Sequence, residues 1–169
     1  GAEAKFAVGG KQKQKKDLGF LAMNYNDVYV ASVSIGANQE QTLKAFNEAE
    51  SFDGPSIIIA YSHSDSHGID IKQPTKYHKA AVNSGQWLLY RNDPRRLEDN
   101  QNALQLDSEA PSIKIEEYLK LEKRFSKLFS NNKKQFNQIQ KHVDNRFNKY
   151  LSMATSNIKS IHNNQSYKN

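Results

Sequence analysis

Val28-Tyr29-Val30-Ala31-Ser32-Val33-Ser34 and Ser56-Ile57-Ile58-Ile59-Ala60-Tyr61 are the two stretches that decide the fold. The first is rich in β-branched and aromatic residues, which pack well on a pleated surface, and it stops at Gly36, so it reads as a strand. The second is a continuous apolar run behind the breaker Asp53-Gly54-Pro55, the pattern of a strand buried on both faces of a parallel sheet. Between them, Asn38 to Ser51 places Leu43, Phe46 and Ala49 at helical spacing among polar residues, with Asn38 positioned as N-cap and Glu40 and Gln41 in the first turn. Strand, helix, strand is a βαβ unit, whose crossover is right-handed.

The pattern continues on both sides. Downstream come the loop Ser62–Gly68, Pro74, a helical stretch from Lys76 to Asn83 ended by Gly85, and Trp87-Leu88-Leu89-Tyr90-Arg91 as a third short strand. The alternation predicts an α/β fold, a partial three-layer parallel sheet. Upstream, Lys11, Lys13, Lys15 and Lys16 lead into a short helix with Asp17 near its start. Residues 92–113 read as an irregular excursion, and the pattern then turns wholly helical. Ile115, Tyr118, Leu119, Leu121, Phe125 and Leu128 lie on one amphipathic helix; Phe136, Ile139, Val143, Phe147, Tyr150 and Leu151 lie on another, with the break at Ser130-Asn131-Asn132. The organisation expected is a partial α/β domain over 1–113, a helical extension packed on it over 114–156, and a polar tail over 157–169.

With 169 residues the chain fits one core, and its 37% hydrophobic content lies below the roughly 45–50% of average globular chains. Cys is absent, which excludes disulfides, thiolate metal sites, Cys nucleophiles and iron–sulfur ligation by this chain. No apolar run approaches the ~18 residues of a membrane span and no signal peptide opens the sequence, so an intracellular setting is expected, in the cytoplasm or an energy-metabolism organelle. The chain starts at Gly1 rather than Met, consistent with a piece of something longer. Of its net charge of +6, residues 111–169 supply the positive part, with 12 Lys and Arg against 4 Asp and Glu.

The best candidate site is the loop His63-Ser64-Asp65-Ser66-His67, because α/β proteins bind ligands at the carboxyl ends of parallel strands. A Ser-His-Asp nucleophile needs side chains converging from different elements, which neighbours in one loop do not provide. A metal held by His63 and His67 lacks a third ligand at suggestive spacing, with Asp70 and His78 only loosely placed. The remaining reading is a polar loop whose hydroxyls cap backbone groups. The Lys11–Lys16 run lacks a P-loop signature and reads as a solvated loop. A nucleic-acid-binding module resting on the basic tail is a distant alternative, since its aromatics fall on one helical face, as burial demands. No residue is singled out as catalytic.

Several ordered stretches resemble the pyruvate:ferredoxin (flavodoxin) oxidoreductases, in the C-terminal part of their thiamine-diphosphate-binding domain. They are Gly1-Ala2-Glu3-Ala4-Lys5-Phe6-Ala7 with Lys15-Lys16-Asp17-Leu18-Gly19, Gly36-Ala37-Asn38 with Gln41-Thr42-Leu43-Lys44-Ala45-Phe46, Glu48-Ala49-Glu50-Ser51-Phe52-Asp53-Gly54-Pro55-Ser56, Ser84-Gly85-Gln86-Trp87-Leu88-Leu89-Tyr90-Arg91, and Leu104-Gln105-Leu106-Asp107-Ser108. The resemblance implies 2-oxoacid oxidative decarboxylation to acyl-CoA, with thiamine diphosphate, magnesium and iron–sulfur clusters as the family's cofactors, and the other domains of the enzyme or of a larger assembly as partners. Two departures bear on activity. The Gly-Asp-Gly and Asn-Thr-Gly-Gly-Gln stretches that hold magnesium and diphosphate in the family are not among these residues. The family's Tyr-Ser-His-Cys-x-x-His-Gly is here Tyr61-Ser62-His63-Ser64-Asp65-Ser66-His67-Gly68, with Ser64 in place of a cluster-ligating cysteine. The resemblance therefore implies a fragment or degenerate copy that binds no cofactor by itself and is not competent alone. Its alternative is a non-catalytic structural or assembly component.

Overall fold

The computed structural model describes residues 2, 16–70, 72–131 and 133–156. Ten helices and strands follow in order: α1 (Leu18–Ala22), β1 (Tyr29–Val33), α2 (Gln39–Glu50), β2 (Ser56–Ala60), α3 (Pro74–Asn83), β3 (Tyr90–Asn92), β4 (Leu104–Leu106), α4 (Ile115–Lys120), α5 (Ser126–Asn131) and α6 (Lys133–Thr155). The Lys11–Lys15 run and the tail 157–169 lie outside the described residues. Asp17 caps α1 by accepting from the Phe20 amide, and Asn38 caps α2 by accepting from the Gln41 amide. No described helix is long and apolar enough to cross a membrane.

The strands lie in the order β2-β1-β3-β4. Their alternating side chains feed two cores on opposite faces. Val28 and Val30 meet Ala22, Tyr90, Phe147 and Tyr150 on one face. Tyr29, Ala31 and Val33 meet Ala45 of α2 on the other. Helices thus cover both faces, the three-layer arrangement the sequence predicts. A third cluster joins Ala81 of α3, Ile115, Tyr118 and Leu119 of α4, Phe125, Leu128 and Val143. The C-terminal helices therefore share cores with the sheet and with α3. Arg146 strengthens this tie by donating to the carbonyls of Gly85 and Gln86 at 2.9 and 2.6 Å.

The α2 face of the sheet also holds a buried ionic group. Arg91 is 5% exposed and donates to Asp107 Oδ1 at 2.8 Å, to Asp107 Oδ2 at 2.9 Å and to Glu48 Oε1 at 2.5 Å. Tyr29 donates to the second oxygen of Glu48, and Gln41 donates to Asp107. Burial alone works against the guanidinium, but Asp107 and Glu48 outweigh it and hold its pKa above the usual value.

The structure departs from the sequence reading in four places. The third strand is antiparallel to β1, with Ala31 opposite Arg91, so the sheet is mixed rather than all parallel. The reason is the path of α3, which packs on α4 beyond the end of the sheet instead of crossing back over it. The chain re-enters beside the carboxyl end of β1, where Trp87 donates to the Val33 carbonyl, and must run the other way. Next, β2 is an edge strand whose residues are exposed or half-buried, with Ile57 42% exposed, so it is not covered on both faces. The 92–113 excursion contains β4, paired antiparallel with β3. Finally, the helix expected from Ile115 to Leu128 breaks at Glu122, whose extended backbone (φ −117°, ψ 118°) turns its carboxylate inward.

Candidate functional site

The loop after β2 is built around Ser64. Its side chain accepts from the Ser66 amide at 3.3 Å, is hydrogen-bonded to the Ser66 hydroxyl at 2.8 Å, and donates to Asp65 Oδ1 at 3.2 Å. It is the N-cap of a single 3-10 turn, Asp65–His67, which Gly68 closes at φ +72°. A side chain at Gly68 would start 2.5 Å from Cβ of Lys123, so this position needs glycine for conformation and for space alike. The cap reading of the hydroxyls matches this geometry.

The two histidines of the loop diverge. His63 packs edge-on against His78 (4.9 Å between centroids) and beside Tyr77. The His78 Nδ1 is hydrogen-bonded to the Ser34 hydroxyl at 2.8 Å, just past the end of β1, with the imidazole lying over Gly36. Burial, and then the neighbouring His63, lower the His78 pKa below its ordinary value. His67 turns the opposite way: its Nε2 is 3.1 Å from Arg124 and its Nδ1 is 3.9 Å from the carboxylate of Glu122.

Glu122 is the centre of that second group. Its side chain is fully buried, forms an ion pair with Arg124 at 2.5 Å and accepts from the Tyr118 hydroxyl at 2.5 Å. The Tyr118 hydroxyl is in turn 3.3 Å from that of Tyr61, at the end of β2. Burial and the adjacent carboxylate raise the Tyr118 pKa, and burial raises that of Tyr61, so both stay protonated as donors. The chain Tyr61–Tyr118–Glu122–Arg124–His67 pins both ends of the loop to the segment between α4 and α5.

Of the residues picked from sequence, His63, Ser64 and His67 share a loop but no common focus. Neither a Ser-His-Asp constellation nor a His63–His67 metal site is assembled, because the two imidazoles face different helices. The groups that do converge on the loop are Ser34, His78, Tyr118, Glu122 and Arg124, of which the sequence reading singles out only His78, as a loosely placed metal ligand, and Tyr118, as a helix residue. Glu122 lies within the stretch read as one amphipathic helix from Ile115 to Leu128, among Lys120, Lys123 and Arg124; the one signal available in the sequence is Tyr118 four residues before it. Of the aromatics that the nucleic-acid alternative would use, Phe147 and Tyr150 of α6 are buried against the sheet.

No protein-family model matches the chain. Individual relatives do. The pyruvate-flavodoxin oxidoreductase of Nostoc sp. is 50% identical over 158 residues, which cover 91% of this chain and 13% of the relative. The pyruvate:ferredoxin oxidoreductase of Moorella thermoacetica is 46% identical over 136 residues, covering 80% of this chain and 11% of the relative. The chain matches a segment of the pyruvate-flavodoxin/ferredoxin oxidoreductase family. A mitochondrial pyruvate dehydrogenase [NADP(+)] of Euglena gracilis is similar too, at 42% over 156 residues and 9% of its length. The chain thus spans only a small part of the oxidoreductases it matches.

Proposed function

We propose that this chain is the C-terminal part of the thiamine-diphosphate-binding domain of a pyruvate:ferredoxin (flavodoxin) oxidoreductase, present as a fragment or degenerate copy that does not carry out 2-oxoacid oxidation alone. The observation that carries the reading is the state of Ser64. At the position where the family resemblance expects a thiolate, the donor is a hydroxyl already committed to the Ser66 amide and hydroxyl, with Asp65 beside it. Iron–sulfur clusters are held by soft thiolates, and an alkoxide forms far less readily, so the residues present do not fit a cluster. A carboxylate next to an anionic cluster adds a further penalty.

The partner on this reading is the rest of the oxidoreductase. Strand β2 presents Ile57, Ile58 and Ile59 on an edge that has no partner among the described residues and no charged residue to blunt it. An edge of that kind is a template for another strand, and an interface made of it resembles a core cut in half. Leu18 and Leu21 of α1, 63% and 53% exposed, extend the same apolar character on the helix packed against β1 and β2.

Titration calorimetry of the purified chain with thiamine diphosphate and magnesium is expected to give no binding heat, and a micromolar Kd would overturn the reading. Iron and acid-labile sulfide are expected to be absent after anaerobic reconstitution. Their stoichiometric uptake by the protein with Ser64 intact would overturn the reading of that residue.

A further inference from the structure

We infer that the outer face of α2 is a docking surface for an amphipathic helix with basic flanks, supplied by polypeptide outside this chain. The inference goes beyond the cofactor reading, because it rests on α2 rather than on the Ser64 loop.

The orientation of α2 is inverted relative to its composition. The face turned to the sheet carries Gln41, Thr42 and Ala45, all buried, together with Glu48. These serve internal needs: Gln41 donates to the Ser32 carbonyl and to Asp107, Thr42 to the Asn38 carbonyl, and Glu48 receives Arg91. The two large apolar residues point the other way, with Leu43 63% and Phe46 53% exposed, and Ile35 before the helix is 61% exposed. The helical spacing of Leu43 and Phe46 that the sequence shows is thus a stripe on the outer face. Internal packing gives no reason for a Leu and a Phe three residues apart on solvent. That spacing is the one by which a helix meets a second helix.

The charges around the stripe choose the occupant. Glu40 and Glu50 stand at its two ends; of the described cations, Lys44 lies beside it, and Arg95, which donates to Ser51 at the groove's end, is already paired with Asp93, while a shallow groove runs along Glu40, Leu43, Lys44, Asn47 and Ser51. A second copy is a poor partner. Antiparallel pairing that brings Leu43 onto Phe46 sets Glu40 of one copy against Ala49 and Glu50 of the other, and parallel pairing sets each glutamate against itself. A helix with Lys or Arg flanking its apolar stripe meets both glutamates favourably. Polypeptide to supply it is at hand in the relatives, of whose length this chain spans 9 to 14%.

The test uses the whole chain and three labelled synthetic helices with one Leu stripe, flanked by Lys, by Glu, or scrambled. Fluorescence anisotropy is expected to show binding of the Lys-flanked helix, about tenfold weaker binding of the Glu-flanked one, and weakening of the former as salt rises. L43D/F46D, whose fold is checked by circular dichroism, is expected to abolish binding. E40K/E50K keeps both apolar residues and is expected to reverse the flank preference. Equal binding of Lys- and Glu-flanked helices, or binding that survives L43D/F46D, would sink the inference. So would sedimentation as a dimer that L43D/F46D converts to monomer, which would assign the face to a second copy.

Discussion

Replacing Arg91 by Met is the most informative single change for the stability of this fold. Arg91 has 6% of its side chain exposed and is the sole cation joining Glu48 to Asp107 in the described hydrogen bonds and ion pairs. Arg91→Met preserves much of the side-chain volume but leaves the carboxylates of Glu48 and Asp107, 22% and 16% exposed, without the cation they share. Removing one partner of a buried pair costs about 3–5 kcal/mol, because the charge left behind keeps its desolvation penalty without its compensation. Partial exposure of the carboxylates lets water soften that penalty, so the lower part of the range, about 3 kcal/mol, is expected. Arg91→Lys is expected to recover only part of it, since an ammonium cannot hold both oxygens of Asp107 and reach Glu48 as a planar fork does. The decisive comparison is the triple variant R91M/E48Q/D107N. If orphaned charge is the cause, neutralising both acids in the R91M background recovers stability, although in the wild-type background each acid change destabilises. Urea denaturation monitored by Trp87 fluorescence gives all the values. A cost below about 1 kcal/mol for R91M, or strict additivity in the triple variant, would refute the reasoning.

Three further outcomes are expected. Gly68→Ala should destabilise by about 1–2 kcal/mol, because an L-residue at φ +72° is strained and its Cβ meets Lys123; the check is the urea midpoint. Glu122→Gln should cost about 3 kcal/mol and release the 62–68 loop, read as faster amide exchange at Ser66 and His67 than in wild type, whereas unchanged exchange would separate Glu122 from the loop. The lowered His78 pKa makes stability complete above the ordinary imidazole range, at about pH 6.5, and lost as pH falls, because the unfolded chain takes up the proton first. Thermal midpoints should therefore drop between about pH 7 and pH 5, with a shallower slope in H78Q; a His78 NMR titration midpoint at or above 6.5 would contradict it.

Local signals made much of the fold legible. Strand β1, helix α2 with its Asn38 cap, strand β2 and helix α3 all follow from side-chain type, capping chemistry and period. What failed was long-range. The direction of β3 depends on where α3 packs, and nothing within Trp87–Arg91 encodes that. Strand β4 has only three residues, Leu104–Leu106, too few for alternation to register. At the candidate site the split was similar. Ser64 was legible as a cap because its partners lie within two residues, while His78 reaches Ser34 across 44 residues and Arg124 reaches His67 across 57, distances over which a sequence pattern carries no signal.

Buried charge and exposed apolar surface carry different physical meanings here. Arg91, Asp93 and Glu122 are buried charged residues, and each has its partner within the chain: Arg91 has Asp107 and Glu48, Asp93 has Arg95, and Glu122 has Arg124. Such residues are satisfied without pointing beyond the molecule. Leu43, Phe46 and Ile57 are apolar residues whose pattern reads as core and which the chain leaves exposed. An exposed apolar residue is unremarkable singly, but these lie on the edge strand of the described sheet and on the helix packed beside it, at the spacings that burial uses. No internal rearrangement satisfies both: turning α2 to bury Leu43 and Phe46 would expel Gln41 and Glu48 from the ionic group that holds Arg91. The inward face of α2 is fixed by the ionic group of Arg91, and its outward face carries the apolar stripe on which the docking inference rests.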